Sequence, residues 1–174
     1  LTEANQRLDE LANTDPLTGL HNRRYAMQRL ATEWVSSEAK GTPLSCLMID
    51  ADGFKQLNDC FGHDAGDIIL RGLSRQLQLA VRTDDIVCRL GGDEFLIICT
   101  RTPFDGALQL AEVVRAEVAT LRVPVGDGKW IGSISVGVAS RSCEMSGYEA
   151  LIKAADLGVY AAKRGGRNCV ATSQ

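Results

Sequence analysis

Apolar positions along this chain switch between a helical spacing of three to four residues and short unbroken runs of strand length. The helical spacing predicts helices over about Asn22 to Glu38, Asp64 to Val81, Phe104 to Thr120 and Gly147 to Arg164. In the second of these, Ile69, Leu73, Leu77 and Ala80 fall on one face. The unbroken runs predict strands at Leu44–Ile49, Ile86–Cys88 and Phe95–Cys99. A further hairpin is expected to turn at Gly126-Asp127-Gly128, with Ile134-Ser135-Val136-Gly137-Val138 as its second arm. Leu1, Ala4, Leu8 and Leu11 follow a and d heptad spacing, which fits either the end of a coiled coil or an ordinary amphipathic helix. The order of elements is compatible with an α+β sandwich, without internal repeats or low-complexity segments.

Two clusters of acids stand at the ends of these strands. Arg89-Leu90-Gly91-Gly92-Asp93-Glu94-Phe95 places a glycine pair between two apolar runs, and glycines supply the positive φ angles that tight hairpins need. Asp93 and Glu94 are thereby expected at the hairpin tip. The run Leu44–Ile49 leads into Asp50-Ala51-Asp52-Gly53-Phe54-Lys55, where strand alternation puts Asp50 and Asp52 on one side. If the strands are neighbours, the two clusters meet. Magnesium takes one or two carboxylates together with waters and substrate phosphates, so the pattern fits a nucleoside triphosphate enzyme. The spacing lacks the later ligands and closing Glu of a helix-loop-helix calcium loop.

The same residues carry a family resemblance over nearly the whole chain. Asp15-Pro16-Leu17-Thr18-Gly19-Leu20 with Asn22-Arg23 comes first, then Asp50 through Asp59 and Phe61-Gly62-His63-Asp64-Ala65-Gly66-Asp67. Arg89 to Phe95, Ser135 to Ala139, and Ala155-Asp156 through Tyr160-Ala161-Ala162-Lys163 to Gly166-Arg167-Asn168 complete the series. In that order they resemble the GGDEF domain, the catalytic module of diguanylate cyclases. The resemblance implies a palm-like nucleotidyl cyclase fold with a mostly antiparallel central sheet flanked by helices. It also implies a helical lead over 1–13, the end of a signalling stalk, and a catalytic domain over 14–174.

Site roles follow from the resemblance by position. Asp50, the backbone carbonyl of Ala51 and Asp93 are expected to hold magnesium, two ions per active site with manganese as a substitute. Asp93 or Glu94 is expected to help take the proton from a ribose 3′-OH, with Lys55 stabilising charge in the transition state. Asn58 and Asp67 resemble guanine readers, the carboxylate accepting from N1–H and the 2-amino group. His63 beside them is either a substrate contact or a turn histidine bonded to backbone. Lys163 and Arg167, four apart near the end of the last helix, are expected at the β and γ phosphates of GTP; cations there also serve as dipole partners. Asp59 reads as structural, and Phe54 and Phe61 as core or pocket wall.

Arg82-Thr83-Asp84-Asp85 lies at the offset where many family members carry an R-x-x-D inhibitory site for cyclic di-GMP, the product. Arg82 and Asp85 would then bind it; otherwise they form a surface ion pair. Some members add an arginine in the following helix, where this chain has Val113, with Arg115 two residues on. The family mechanism needs a transient homodimer with two GTP molecules facing each other.

Bulk properties fit one domain of 174 residues. A net charge of −3 argues against DNA as a partner. No apolar run reaches membrane-spanning length and no signal peptide opens the chain, so a cytoplasmic location is expected, compatible with a membrane-anchored parent. The chain begins without Met, which suggests a fragment preceded by a signalling segment. Its six cysteines show no metal-ligand spacing and read as reduced thiols acting as small hydrophobes. Two other readings remain: a receptor that only binds cyclic di-GMP, and a palm enzyme using another nucleotide. Asp50, Asp93, Glu94, Lys55 and Lys163 argue against the first, Asn58 and Asp67 against the second.

Overall fold

A computed structural model describes residues 2–174. Leu1, the first position of the expected heptad, lies outside them. The elements run α1 (Glu3–Asn13), α2 (Arg23–Lys40), β1 (Leu44–Ala51), α3 (Phe54–Phe61), α4 (His63–Ala80), β2 (Ile86–Gly91), β3 (Glu94–Thr100) and α5 (Phe104–Ala119). They continue through β4 (Arg122–Val125), β5 (Gly128–Ile131), β6 (Ile134–Ser140), α6 (Tyr148–Arg164) and β7 (Val170–Ala171).

The central sheet has the order β2-β3-β1-β6-β7, antiparallel except for the β6–β7 pair. Strand alternation sorts its side chains between two layers. Leu47, Ile49, Phe95, Ile97, Val136 and Val138 pack with α3, α4 and α5. Cys46, Met48, Leu96, Ile98 and Ala139 pack with α2 and α6. Because both faces are covered, β1 and β3 read as continuous apolar runs instead of alternating ones. This is the expected α+β architecture.

Helix ends follow local chemistry. Asn22 caps α2 by accepting from Tyr25 N at 3.0 Å, and its amide donates to Ala12 O at 2.9 Å, tying α2 to the end of α1. Gly41 closes α2 at φ 66°, a left-handed stop. The α1 helix itself buries no residue. Burial pushes the Cys46 and Cys88 thiols up to about 12, and all six cysteines are free.

One expectation needs correction, and two elements were not expected. The hairpin at Gly126–Gly128 is closed by β5, and Ile134 begins a separate strand of the main sheet. Gly132 interrupts the chain between them; a Cβ there would overlap the Val118 carbonyl, so the strand breaks where it passes under α5. Residues 54–61 form a helix that the apolar pattern does not announce, because only Phe54 of α3 is buried. The short strand β7 is likewise unannounced: two residues are too few to show a period.

Backbone also approaches backbone closely between β6 and α6. A Cβ on Gly137 would overlap the Ala155 carbonyl, and one on Gly158 would lie 2.7 Å from Gly137 Cα. Glycines at both positions let α6 lie directly on the strand. Gly137→Ala is therefore expected to destabilise the domain by about 1–3 kcal/mol, the usual range for overpacking. Urea unfolding measures this, and a variant within about 0.5 kcal/mol of the parent would contradict the contact.

Candidate active site

The site forms where β1 and the β2–β3 hairpin end together. Asp50 pairs with Glu94 across the β1–β3 ladder, and Ala51 N donates to Asp93 O at 3.3 Å. Gly91 at φ 141° and Gly92 at φ 51° make the turn, as their sequence requires. Asp93 sits in that turn, half-buried, while Glu94 is exposed as the first residue of β3. The hairpin is braced from outside. Arg89 donates to Gly92 O through Nε (3.0 Å) and a terminal nitrogen (2.9 Å), and to Asp15 Oδ1 at 3.0 Å. Asp15 also accepts from Thr18 N and Oγ1 at 2.9 and 2.6 Å. The Asp15–Leu20 motif is thus a grip on the hairpin.

A cleft of about 580 Å³ opens beside the turn, lined by Ala51, Gly53, Lys55, Asp93, Lys163 and Arg167 among others. Lys163, in the last turn of α6, is ion-paired with Asp50 Oδ2. Asp50 Oδ1 is buried without a hydrogen-bond partner. Lys55 is exposed in the first turn of α3. Arg167 lies beyond the helix, not on it: the chain leaves α6 at Gly165 and turns through Arg167 at φ 65° and Asn168 at φ 44°.

Asp52 follows the end of β1, lines the same cleft, and lies on the Ser135 side, as Asp50 does opposite Ser135 in the β1–β6 ladder. Asp52 accepts from Ser135 Oγ (2.7 Å), Ser133 Oγ (2.6 Å) and Asn168 N (3.0 Å).

Negative charge crowds this end of the sheet. Burial, then the neighbouring Asp50 carboxylate, pushes the Asp93 pKa up. Glu94, exposed as a residue, has its carboxyl raised by partial desolvation and by Asp50, Asp156 and Asp93. Burial also raises Asp156 on α6, partly offset by Arg23. Among the described residues, no three His, Cys, Asp or Glu side chains form a complete metal-ligand group. A magnesium ion held here would need substrate phosphates, backbone carbonyl or waters to complete its shell, which is its ordinary preference. The orphaned Asp50 oxygen in this acidic setting fits such an ion.

Asn58, His63 and Asp67 are not part of the cleft wall. Asn58 lies on the seam between α3 and α4, its Oδ1 buried without a partner. A Cβ on Gly66 would overlap that oxygen, so the glycine makes room for the amide. Asp67 follows on α4, half-buried, and His63 is exposed at the start of α4. Gly66 makes room for the Asn58 amide, and Asp156 stands near Asp50 at this acidic end; both relations are visible only in three dimensions.

Arg82 and Asp85 stand apart, in a groove of about 440 Å³ lined also by His21, Tyr25, Arg29 and Gln78. Asp85 accepts from Arg82 N at 2.9 Å and Nε at 3.3 Å. Its side chain is 2% exposed against 59% for Arg82. Arg82 additionally donates to Thr102 Oγ1 at 3.0 Å. Val113 is exposed on α5. Arg115 bonds Glu112 and Asn168 and has no bond to this pair.

Residues 12–169 match the family model described as "Diguanylate cyclase, GGDEF domain". The chain belongs to the GGDEF family. It is 45% identical over 163 residues to the response regulator PleD of Caulobacter vibrioides, covering 92% of this chain and 36% of that protein. It is 39% identical over 168 residues to the probable diguanylate cyclase DgcC of Escherichia coli, covering 97% and 45%. The chain thus spans less than half the length of these curated relatives. Among solved structures, the coiled coil and GGDEF domain of DgcB from Caulobacter crescentus, in complex with c-di-GMP, superposes with TM-score 0.90 at 29% identity. That match covers 97% of this chain and 90% of the other. The diguanylate cyclase SiaD of Pseudomonas aeruginosa, in complex with its activator SiaC, gives TM-score 0.87 at 38% identity, covering 95% and 64%.

The raised Asp93 carboxyl has a consequence for stability. Between the ordinary aspartate value and its raised one, the folded chain binds the proton more tightly than the unfolded chain. Stability contributed by this group therefore falls as pH rises through that window. Asp93→Asn is expected to flatten the fall and to melt higher than the parent at neutral pH without metal. Thermal melts at a series of pH values test this; identical pH dependence in both chains would refute the charge-crowding account.

Proposed function

We propose that this GGDEF domain condenses two GTP molecules into cyclic di-GMP, releasing two pyrophosphates, as a transient dimer of half-sites. The observation that supports it most is the convergence of Asp93, Lys55, Lys163 and Arg167 on one cleft beside a buried, unsatisfied carboxylate oxygen of Asp50. Anionic and cationic side chains facing one space suit a metal-bound triphosphate better than either charge alone.

In this reading Asp50, the Ala51 carbonyl and Asp93 would hold magnesium or manganese. When bound, the metal increases the acidity of the attacking hydroxyl and offsets phosphate charge. Lys163 and Arg167 bind the β and γ phosphates, and Lys55 stabilises charge as the transferred phosphorus becomes crowded. Asp93 or Glu94 accepts the 3′-OH proton. Each 3′-oxygen bonds to the partner nucleotide's α-phosphorus as the bond to the β-phosphate bridging oxygen breaks. Two domains are required because each supplies one nucleotide, and positioning contributes much of the rate.

Asn58 and Asp67 read guanine, with His63 beside them as a substrate contact. The unpartnered Asn58 oxygen supports this, since a guanine N–H would satisfy it. Arg82 and Asp85 bind product, with the exposed Arg82 guanidinium as first contact. The lead helix α1 passes a signal from an upstream stalk; its exposed Leu8 and Leu11 support that role. Among the described residues no helix is long and apolar enough to cross a membrane.

Incubation with GTP and magnesium, followed by chromatography for cyclic di-GMP and pyrophosphate, tests the central reaction. Asp93→Asn should yield no product while remaining folded, and normal turnover by it would overturn the catalytic assignment. Asp67→Ala should weaken GTP binding more than about tenfold, because buried guanine donors lose their acceptor. Unchanged affinity by calorimetry would remove Asp67 from the base site. For feedback, Arg82→Ala should relieve inhibition by added cyclic di-GMP without lowering the initial rate. Inhibition should be non-competitive with GTP, as expected for a shift between productive and unproductive dimers. Equal cyclic di-GMP affinity in parent and variant would reduce the motif to an ion pair.

A further inference from the structure

Arg167 reaches the cleft from a backbone that opposes its placement. It and Asn168 are consecutive non-glycine residues at positive φ, 65° and 44°. Asparagine tolerates the left-handed region, arginine much less, and such a turn persists only when its surroundings hold it. Hydrogen bonds from the preceding helix close one side, with Arg167 N donating to Ala162 O at 3.0 Å. The other side is held at Asn168 by two charged groups from distant parts of the chain.

Asp52 Oδ2 accepts from Asn168 N at 3.0 Å. The carboxylate is itself fixed by Ser133 and Ser135 hydroxyls, so it has little freedom to follow the turn if the turn moves. From α5, Arg115 donates to Asn168 Oδ1 at 3.2 Å. Its guanidinium is aimed by a two-pronged bond to Glu112, at 2.9 Å and 2.5 Å, and is only 20% exposed. Asp52 itself lines the cleft beside Arg167, whereas Arg115 does not and has no proposed metal, base or phosphate contact.

We infer that Asp52 and Arg115 are positioning residues which, through Asn168, fix the left-handed turn that carries Arg167 into the cleft. The inference rests on the reading of the cleft as a triphosphate site. Asn168 is the shared node: one residue receives a backbone clamp from the end of β1 and a side-chain clamp from α5. Phosphate capture at Arg167 is thereby tied to the same strand end that presents Asp50 and to the helix packed on β6.

A double-mutant cycle separates this role from ordinary surface stability. Affinity for a non-hydrolysable GTP analogue with magnesium is measured by calorimetry in the parent, Arg115→Met, Arg167→Met and the double variant. Arg167→Met should bind about tenfold more weakly, and Arg115→Met about fivefold more weakly, with a melting temperature within about 2–4 °C of the parent. The double variant should bind no more weakly than Arg167→Met alone, since Arg115 acts only through Arg167. Asp52→Asn, which keeps the shape but loses one charged acceptor, should show the same non-additivity; if it fails to fold, the Arg115 cycle still decides. Losses that multiply in the double variant would overturn the positioning role and leave the triphosphate reading standing. No loss in Arg167→Met would remove Arg167 from the phosphate site and this inference with it.

Discussion

The closeness of α6 to β6 sets the rest of the site. With no Cβ at Gly137 or Gly158, helix backbone rests on strand backbone, and α6 is carried along the sheet toward the end where β1 stops. Its last turn then lies within reach of Asp50, which is why Lys163 can pair with that carboxylate. The turn after α6 must be tight, because β7 has to enter the sheet beside β6 with Val170 opposite Val136. Arg167 and Asn168 take left-handed conformations to make it. A methyl group at the crossing would push the helix away, moving both cations together.

The electrostatics of this corner favour a ligand over the empty fold. Partial desolvation and the neighbouring Asp50 carboxylate raise Asp93, Glu94 and Asp156, so the folded chain holds charge that it does not fully neutralise by itself. Arg23 and Lys163 offset part of it. Asp52 shows the contrast: two hydroxyls and a backbone N–H satisfy it, and it behaves as structure. Carboxylates of the same local sequence thus divide into one that is satisfied and one that retains a buried free oxygen. Unsatisfied buried acceptors destabilise a fold unless something binds them, which is why they point to function.

Much of the fold was legible because its helices and buried strands have clear periods. The helix start at Asn22 and the Gly91-Gly92 turn follow from residue chemistry alone, whereas α2 runs past the expected Glu38 to a stop at Gly41. The failures have physical causes. α3 buries one side chain and so shows no apolar face, β7 is too short for a pattern, and the break at Gly132 depends on a helix that passes above it. Motif order named Asp50, Asp93, Lys55, Lys163 and Arg167, and the structure brings the last four to one cleft and pairs Lys163 with Asp50. It gave no reason for Gly66, whose missing Cβ matters only because Asn58 arrives from another helix.

The placement of Arg82 and Asp85 bears on how feedback would reach the catalytic end. Asp85 immediately precedes β2, whose far end forms the hairpin turn at Asp93. The Asp85 carboxylate is buried and already bonded to Arg82, so a ligand meets a formed pair and an exposed guanidinium. Binding there needs no opening of the core. The hairpin at the other end is held by Arg89 to Gly92 and Asp15, a rigid brace that resists transmission of small shifts along β2. A ligand in this groove would therefore act more readily by engaging a second domain through its open face than by deforming Asp93. If the proposed reaction between two facing domains holds, control of their encounter would leave each half-site intact, and the proposed catalytic carboxylates would not need to move for the rate to change.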